Sequence, residues 1–322
     1  MSEPVLVTGS TGFVGAALCR HLVQAGCNVR AAVRDPHKFS ASGTQPVVVG
    51  NLASNTDWRA AVEGVRAVVH CAARVHVMRE TASDPLAEFR RVNVAGTLNL
   101  ARQAADAGVR RIVFISTIGV NGAETQPGRP FTAEDTPAPH SPYSVSKYEA
   151  EQALQELARS RSIEVVVIRP PLVFGPGAPG NFERLMRALH QGIPLPFGAL
   201  DNRRSFVALG NLTSLIHTCI DHPKAANRTF MVSDGEDIST TELLRGVARG
   251  LGRPARLIPV PGAAIRWVAR MAGKADFAQR LCGSLQVDIS ATRSLLGWAP
   301  PVRLAQALDE AAREFLAPSR TA

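Results

Sequence analysis

An apolar run, Val5-Leu6-Val7, stops at Thr8-Gly9-Ser10-Thr11-Gly12-Phe13-Val14-Gly15 and passes into an amphipathic stretch. Glycines spaced G-x-x-G-x-x-G between a strand and a helix have a physical purpose. Gly9 permits the tight turn, Gly12 lets the backbone approach a pyrophosphate, and Gly15 lets the helix pack close to the sheet. The helix N-terminus then faces the anion. The spacing is one residue longer than G-x-G-x-x-G, and by itself the triplet is also compatible with a plain turn. Its weight comes from a second pair near the middle of the chain, Tyr143 and Lys147.

The texture around the glycines agrees with a layered α/β chain. Strand-like runs occur at Val5–Val7, Asn28–Val33, Val47–Val49, Ala67–Cys71, Arg111–Ser116 and Glu164–Ile168. Helical patterns lie between them: Gly12–Gln24, Asp57–Val62, Pro85–Ala107 and Pro142–Arg159. Continuous Val/Ile runs alternating with helices predict a parallel sheet covered on both faces, a Rossmann-like doubly wound fold. After Arg169 the pattern changes. A Pro/Gly loop runs to Gly180, a helix is expected over Phe182–His190, and Gly192–Gly198 reads as an edge strand because prolines are tolerated there. Ser239-Thr240-Thr241-Glu242 is a capping box, and Leu296-Gly297 ends a later helix. The expected division is a dinucleotide-binding domain over 1–170 and a smaller, mainly substrate-binding C-terminal lobe over 171–322, with segments returning to the core.

Several classes are excluded. The chain has 322 residues, 45% of them hydrophobic and 20% charged, which argues against disorder. No apolar run approaches the roughly 18 residues of a membrane span. The segment Met1-Ser2-Glu3-Pro4 lacks a basic region before a short apolar run, so no signal peptide is expected, and the location is expected to be cytoplasmic with no membrane partner. Five scattered cysteines show no C-x-x-C or metal-like pairing; buried, reduced thiols and no metal are expected. The net charge is +9, yet the basic residues are dispersed without aromatic interleaving. That pattern fits a small polyanion better than nucleic acid.

Tyr143 and Lys147 stand at i and i+4, one face of a helix. A phenol near its reference pKa of about 10 exchanges protons poorly at neutral pH, and a nearby ammonium favours the phenolate. The chain has only two tyrosines and four lysines, so the spacing is unlikely as an accident. The fifth strand ends in Ser116-Thr117, at the carboxyl edge where such folds bind ligands.

These residues, together with Val69-His70-Cys71-Ala72-Ala73, Asn93-Val94-Ala95-Gly96-Thr97, Arg169-Pro170, Arg204-Ser205-Phe206-Val207 and Leu296-Gly297-Trp298, resemble the extended short-chain dehydrogenase/reductases, the nucleotide-sugar epimerase/dehydratase group. The resemblance covers nearly the whole chain. It implies a catalytic set of Thr117, Tyr143 and Lys147, with Ser116 able to share the hydroxyl role. It implies a dinucleotide along Gly9, Thr11, Gly12, Phe13, Val14 and Gly15, with Arg34, Asn51 and Leu52 near its adenosine half. Cys71, Ala72, Ala73, Asn93 and Pro170 would complete that site with Tyr143 and Lys147. Arg204 would grip a nucleotide diphosphate, Phe197 would pack the uracil, and Asn181 would touch the substrate beside Thr117. A homodimer through Pro85–Ala107 and Pro142–Arg159 is a further implication.

The departures carry information. Where the family's dehydratases place Asp-Glu after the catalytic Thr, this chain has Ile118-Gly119, which argues against dehydration. The family's nearby tyrosine is Asn121 here, and the asparagine after the sixth strand is Leu172. At the end of the second strand Val33 stands where NAD enzymes place an acid, followed by Arg34, with Asp35 late. A guanidinium there favours NADP(H), while NAD(H) stays open. Within the family, Val75–Glu80 and Asn227–Asp237 are most similar to polysaccharide-cluster 4-epimerases and 4-ketoreductases acting on UDP-sugars. The favoured expectation is reduction of the C4 ketone of a UDP-2-acetamido-4-keto-6-deoxyhexose, as in O-antigen synthesis. The alternatives are a UDP-hexose 4-epimerase with retained NAD, and a non-catalytic NADP-sensing protein.

Overall fold

The computed structural model describes residues 3–39, 41–75 and 84–317, so most of the Val75–Glu80 signature lies outside the described residues. Through the first half, strands and helices alternate: β1 (Val5–Thr8), α1 (Phe13–Gln24), β2 (Val29–Val33), β3 (Thr44–Val48), α2 (Arg59–Val62), β4 (Ala67–His70), α3 (Pro85–Phe89), α4 (Thr97–Asp106), β5 (Arg111–Ile115), α5 (Pro142–Ser160) and β6 (Glu164–Arg169). Then come β7 (Leu172–Phe174), α6 (Asn181–His190), β8 (Arg204–Ala208), α7 (Leu209–Asp221), β9 (Arg228–Met231), β10 (Asp237–Ile238) and α8 (Thr240–Gly250). Helices α9 (Gly262–Met271), α10 (Ala275–Cys282), α11 (Ser290–Leu296) and α12 (Leu304–Leu316) close the chain.

Seven strands form one parallel sheet in the order β3-β2-β1-β4-β5-β6-β9. Every residue of β1 and β4 is buried, as a strand covered on both faces requires. Alternate residues feed two cores. Val5, Val7, Val69 and Val113 meet Leu18 and Leu22 of α1 and Leu212 and Ile216 of α7 on one face. Leu6, Val68, Ile112 and Phe114 meet Leu100 and Ala104 of α4 and Leu154 of α5 on the other. Each large apolar side chain so buried contributes about 1.5–3 kcal/mol. Strand order reverses between β1 and β4, which makes their carboxyl ends the crevice of the fold. The second half adds a three-stranded sheet, β10-β8-β7, and a third core in which Phe174, Phe182 and Met186 meet Leu243, Val247 and Leu308. Its β9 returns to the large sheet beside β6.

Local sequence explains the ends of these elements. Ser239 accepts from the Glu242 amide at 3.0 Å while Glu242 accepts from the Ser239 amide at 2.7 Å, the capping box at the start of α8. Gly297 stops α11 in the left-handed region at φ 61°. Three expectations need correction. The helix expected over Pro85–Ala107 is interrupted by a π-helical stretch, Arg90–Gly96, between α3 and α4. The loop expected from Arg169 to Gly180 contains β7, which pairs with β8. The edge strand expected over Gly192–Gly198 forms only isolated bridges, Leu195 with Leu257 and Ala199 with Pro261. Leu195 and Gly198 bond instead to the separate segment 256–258, which is not itself a regular strand.

Gly15 is where the fold tolerates least. A Cβ there would lie 2.1 Å from the Gly9 carbonyl oxygen, which is backbone and cannot step aside. Gly210, in the first turn of α7, would meet nothing within 4 Å. Gly15→Ala is expected to cost at least about 2–3 kcal/mol, and Gly210→Ala to gain about 0.5–1 kcal/mol. Thermal denaturation of the two variants checks this; equal melting temperatures would contradict the packing at the first turn.

Candidate active site

The glycine loop and the loop after β4 meet at the crevice. The Gly12 amide donates to the Gly9 carbonyl at 2.9 Å, closing the turn, and Gly9 sits at φ 65°. A Cβ on Gly9 would lie 2.8 Å from the Ala72 amide nitrogen, so β1 can approach the Cys71–Ala73 loop only with glycine there. Thr8 Oγ1 accepts from the Ala72 amide at 3.2 Å and bonds His70 Nδ1 at 2.7 Å. Gly12 caps α1 with no side chain, and Thr11 and Gly12 are exposed. The first-turn amides of Phe13 and Val14 therefore open into a cradle without a Cβ, the donor set an anionic diphosphate needs. The residues present fit a dinucleotide.

The adenosine side is less committed. β2 ends with Val33 buried and Arg34 exposed. Asp35 turns away from the strand to cap Pro36–Lys38, accepting from the His37 amide at 3.0 Å. Asn51 is exposed and Leu52 half-buried, its Cγ 2.8 Å from where a Cβ on Gly96 would stand.

Helix α5 carries Tyr143 and Lys147 because Ser141, Pro142 and Ser144 start it there, with Ser141 and Ser144 capping each other. Lys147 is 1% exposed, with its Nζ 3.8 Å from the centre of the Phe114 ring. Burial pulls the ammonium down to about 7, although Glu151 and Cys71 act in the opposite direction. The Tyr143 phenol is pushed up to about 12 by burial, and its ring meets Phe89 edge-on at 6.0 Å. Lys147 rests over Phe114, and burial holds the Tyr143 phenol above its ordinary value. His70, stacked on Phe114 and bonded to Thr97 Oγ1 at 2.9 Å, falls to about 3 through burial and then the neighbouring Lys147 charge.

One turn beyond Lys147, fully buried Glu151 accepts from Arg169 Nη2 at 2.6 Å and Nε at 3.1 Å. Ser116 Oγ donates to the same carboxylate. Arg169 also donates to Asn121 Oδ1 at 3.0 Å, and Asn121 to the Thr132 carbonyl at 2.7 Å. Ser116 is therefore withdrawn from the catalytic role it was given as an option: its hydroxyl is committed to Glu151 and 3% exposed. Thr117 is half-buried, with Oγ1 accepting only a long 3.2 Å bond from the Gly119 amide. Pro170 holds this end in place by accepting from the Ile118 amide at 2.9 Å.

Asn93 lies in the π-helical stretch, 1% exposed. It accepts from the Arg74 amide at 2.7 Å and donates to the Arg74 carbonyl and Ser146 Oγ at 3.0 Å each. The extra residue of a π turn aims this amide at both the β4 loop and α5.

The second lobe holds the remaining residues. Arg204 lies half-buried on β8, donating to the Gly283 carbonyl at 2.7 Å, with burial lowering its guanidinium to about 10. Asn181 is exposed at the first position of α6, after Gly180 at φ 79°. Phe197 corrects the expectation of an open packing surface: it is 7% exposed within the third core, its carbonyl accepting from Thr241. A separate cavity of about 250 Å³, bounded by Gln155, Arg159, Asn227 and Arg228, flanks the last turns of α5 and does not touch Tyr143 or Lys147. Glu151 escaped the sequence reading, and Asn121 was read only as a departure from the family, without its Arg169 partner. Glu151 continues the i, i+4, i+8 face of Tyr143 and Lys147, a legible signal; its Arg169 partner is a tertiary contact.

Among known proteins, the model of the NAD dependent epimerase/dehydratase family matches residues 5–233. The chain is 48% identical over 318 residues to UDP-glucose 4-epimerase of Vibrio cholerae, covering 98% of this chain and 96% of that protein. It is 27% identical over 326 residues to N-acetyl-alpha-D-glucosaminyl-diphospho-ditrans,octacis-undecaprenol 4-epimerase of Escherichia coli O157:H7, covering 96% and 94%. Among solved structures, MoeE5 in complex with UDP-glucuronic acid and NAD superposes with a TM-score of 0.78 at 25% identity, over 97% of this chain and 98% of that one.

Two measurements probe this geometry. Lys147 releases its proton near pH 7 when folded and near 10.5 when unfolded, so the unfolded chain binds more protons between those values and stability rises with pH across them. From pH 7 to 9 the ligand-free protein should gain melting temperature relative to Lys147→Met; parallel curves would contradict the buried ammonium. Tyr143→Phe and Thr117→Val should each lower turnover about 100-fold or more with the fold intact, as read by steady-state kinetics and circular dichroism. Ser116→Ala should instead lower thermal stability more than it lowers turnover by remaining folded protein.

Proposed function

This chain belongs to the NAD dependent epimerase/dehydratase family, and on that premise we propose that it is a UDP-sugar 4-epimerase. The observation that carries the reading is its 48% identity, over 98% of its length, to a UDP-glucose 4-epimerase. This reverses the order of the two sequence expectations, in which the 4-ketoreductase came first. The cradle from Gly9 to Gly15, with the Cys71–Ala73 loop, Asn93 and Pro170 around it, would hold a pyridine nucleotide. Bound there, that group would accept a hydride from sugar C4 and return it.

The chain's own residues handle the proton and the orientation. Tyr143 would act first as base, its phenolate taking the C4 hydroxyl proton as the C4 hydride leaves, and then as acid, returning a proton to the C4 oxygen when the hydride comes back. Thr117 Oγ1 hydrogen-bonds the same oxygen, and Lys147 beneath them supplies the local positive charge. Arg204 on β8 would grip the nucleotide diphosphate. Elimination of water needs an acid/base carboxylate beside Thr117, and that place is taken by buried Ile118 and by Gly119, where an added Cβ would lie 3.2 Å from that of Ser144. The reading includes a cytoplasmic location, a role in polysaccharide sugar supply and self-association through α4 and α5.

One observation favours the second reading, a 4-ketoreductase using NADPH: β2 ends in buried Val33 followed by exposed Arg34. The two chemistries separate cleanly. An epimerase interconverts UDP-glucose and UDP-galactose, or their N-acetyl counterparts, with no net change in reduced-nicotinamide absorbance. A reductase consumes one NADPH per UDP-4-keto-sugar and stops when it is exhausted. Sugar NMR beside absorbance is expected to show catalytic interconversion; stoichiometric NADPH loss without it would establish the reductase. In that case Arg34→Ala should weaken NADPH about 10- to 150-fold more than NADH, the value of a charge-assisted phosphate bond.

A further inference from the structure

Helix α9 carries its apolar face outward. None of its residues is buried. Ile265 and Ala269 are half-buried on the inner side, Ile265 against the third core. Ala264, Trp267, Val268 and Met271 follow the i, i+3, i+4, i+7 rule and form one stripe on the other side. Trp267 is 67% exposed, Val268 58% and Met271 76%. Arg266 and Arg270 run along one border of this stripe, and Lys274 follows it; all three are exposed. Single exposed apolar residues are ordinary, but three large ones on one helical stripe mark a contact surface.

The rim decides what covers it. A second copy docked face to face would bring Arg266 and Arg270 against their own equivalents, in a chain already at +9. An anionic lipid surface suits every part: indole at the interface, Val268 and Met271 in the acyl boundary, guanidinium groups among the headgroups. At ten residues, about 15 Å, the helix is too short to span. No helix among the described residues is long and apolar enough to cross a membrane. We infer that the outward face of α9 docks this protein onto the surface of an anionic lipid bilayer. This departs from the expectation of no membrane partner, which rested on the lack of a spanning run and does not bear on a helix lying in the interface. Pro261, at the N-terminus of α9, bridges to Ala199, so the docked helix would hold the second lobe against the lipid. The inference does not depend on the sugar chemistry.

Tryptophan fluorescence isolates the event, because Trp58 and Trp298 are 2% and 6% exposed and Trp267 alone of the three is open. The full-length protein is mixed at low salt with vesicles of phosphatidylcholine, or of equimolar phosphatidylcholine and phosphatidylglycerol, and sedimented. Binding to the anionic vesicles with a blue shift is expected, weakened by salt. Trp267→Ser with Met271→Ser should abolish it, and Arg266→Glu with Arg270→Glu should weaken it at least about 25-fold, at roughly fivefold per charge. Both double variants should keep their circular dichroism and their turnover of soluble substrate. No sedimentation with anionic vesicles would overturn the inference. So would undiminished binding by the serine variant, or a halved mass of that variant in light scattering, which would assign the face to a second copy.

Discussion

A carboxylate with no exposure to solvent organises the centre of this protein. Glu151 projects from α5 into the space between the ends of β5 and β6, where an unpaired charge would cost several kcal/mol. It is tolerated because Arg169 meets it with two nitrogens and Ser116 donates a third bond. Three elements are thereby locked in one register. β5 delivers Ser116 and hence Thr117, β6 delivers Arg169 and hence Pro170, and α5 delivers Tyr143 and Lys147 two turns and one turn before Glu151. Breaking such a pair by removing one partner costs about 3–5 kcal/mol. The expense secures geometry, since Thr117 and Pro170 adjoin members of this network and Tyr143 and Lys147 share the helix of Glu151.

The same low-dielectric setting shapes the chemistry. Burial raises the Tyr143 phenol and lowers the Lys147 ammonium, and burial, helped by the neighbouring Lys147 charge, keeps His70 neutral. A neutral His70 can bridge Thr8 of β1 and Thr97 of α4 without adding charge beneath the crevice. Lys147 is thus the buried group of this site that titrates near neutral pH.

Much of this was legible before any coordinates. Gly9 and Gly15 announce a close backbone approach that a Cβ would block, and the structure puts a number on that through the clash a Cβ on Gly15 would make; at Gly12 a Cβ would meet only the Gly9 carbonyl oxygen, at 3.2 Å. Tyr143 and Lys147 are readable because helical spacing is local, and Ser239 with Glu242 because a capping box spans four residues. What stayed hidden depends on tertiary contact. Glu151 shares the Tyr143–Lys147 face, yet only its meeting with Arg169 reveals why it is there. Spacing places Lys147 on the right face, but only the fold sets its Nζ over the Phe114 ring. The strand expected near Pro194 failed because bridging there depends on Arg256 to Ile258, far along the chain. Phe197 entered the third core for the same reason, since burial is decided by neighbours.

The account makes Tyr143 a proton carrier at one sugar carbon, in a site that returns what it removes. UDP-glucose carrying deuterium at C4 tests this most directly. The account predicts that UDP-galactose formed from it keeps the deuterium at C4, with none lost to solvent or to added nicotinamide cofactor in the medium. Deuterium appearing in the free cofactor pool, with unlabelled hydrogen at C4 of the product, would contradict a returned hydride and point to a cofactor exchanged at every turnover.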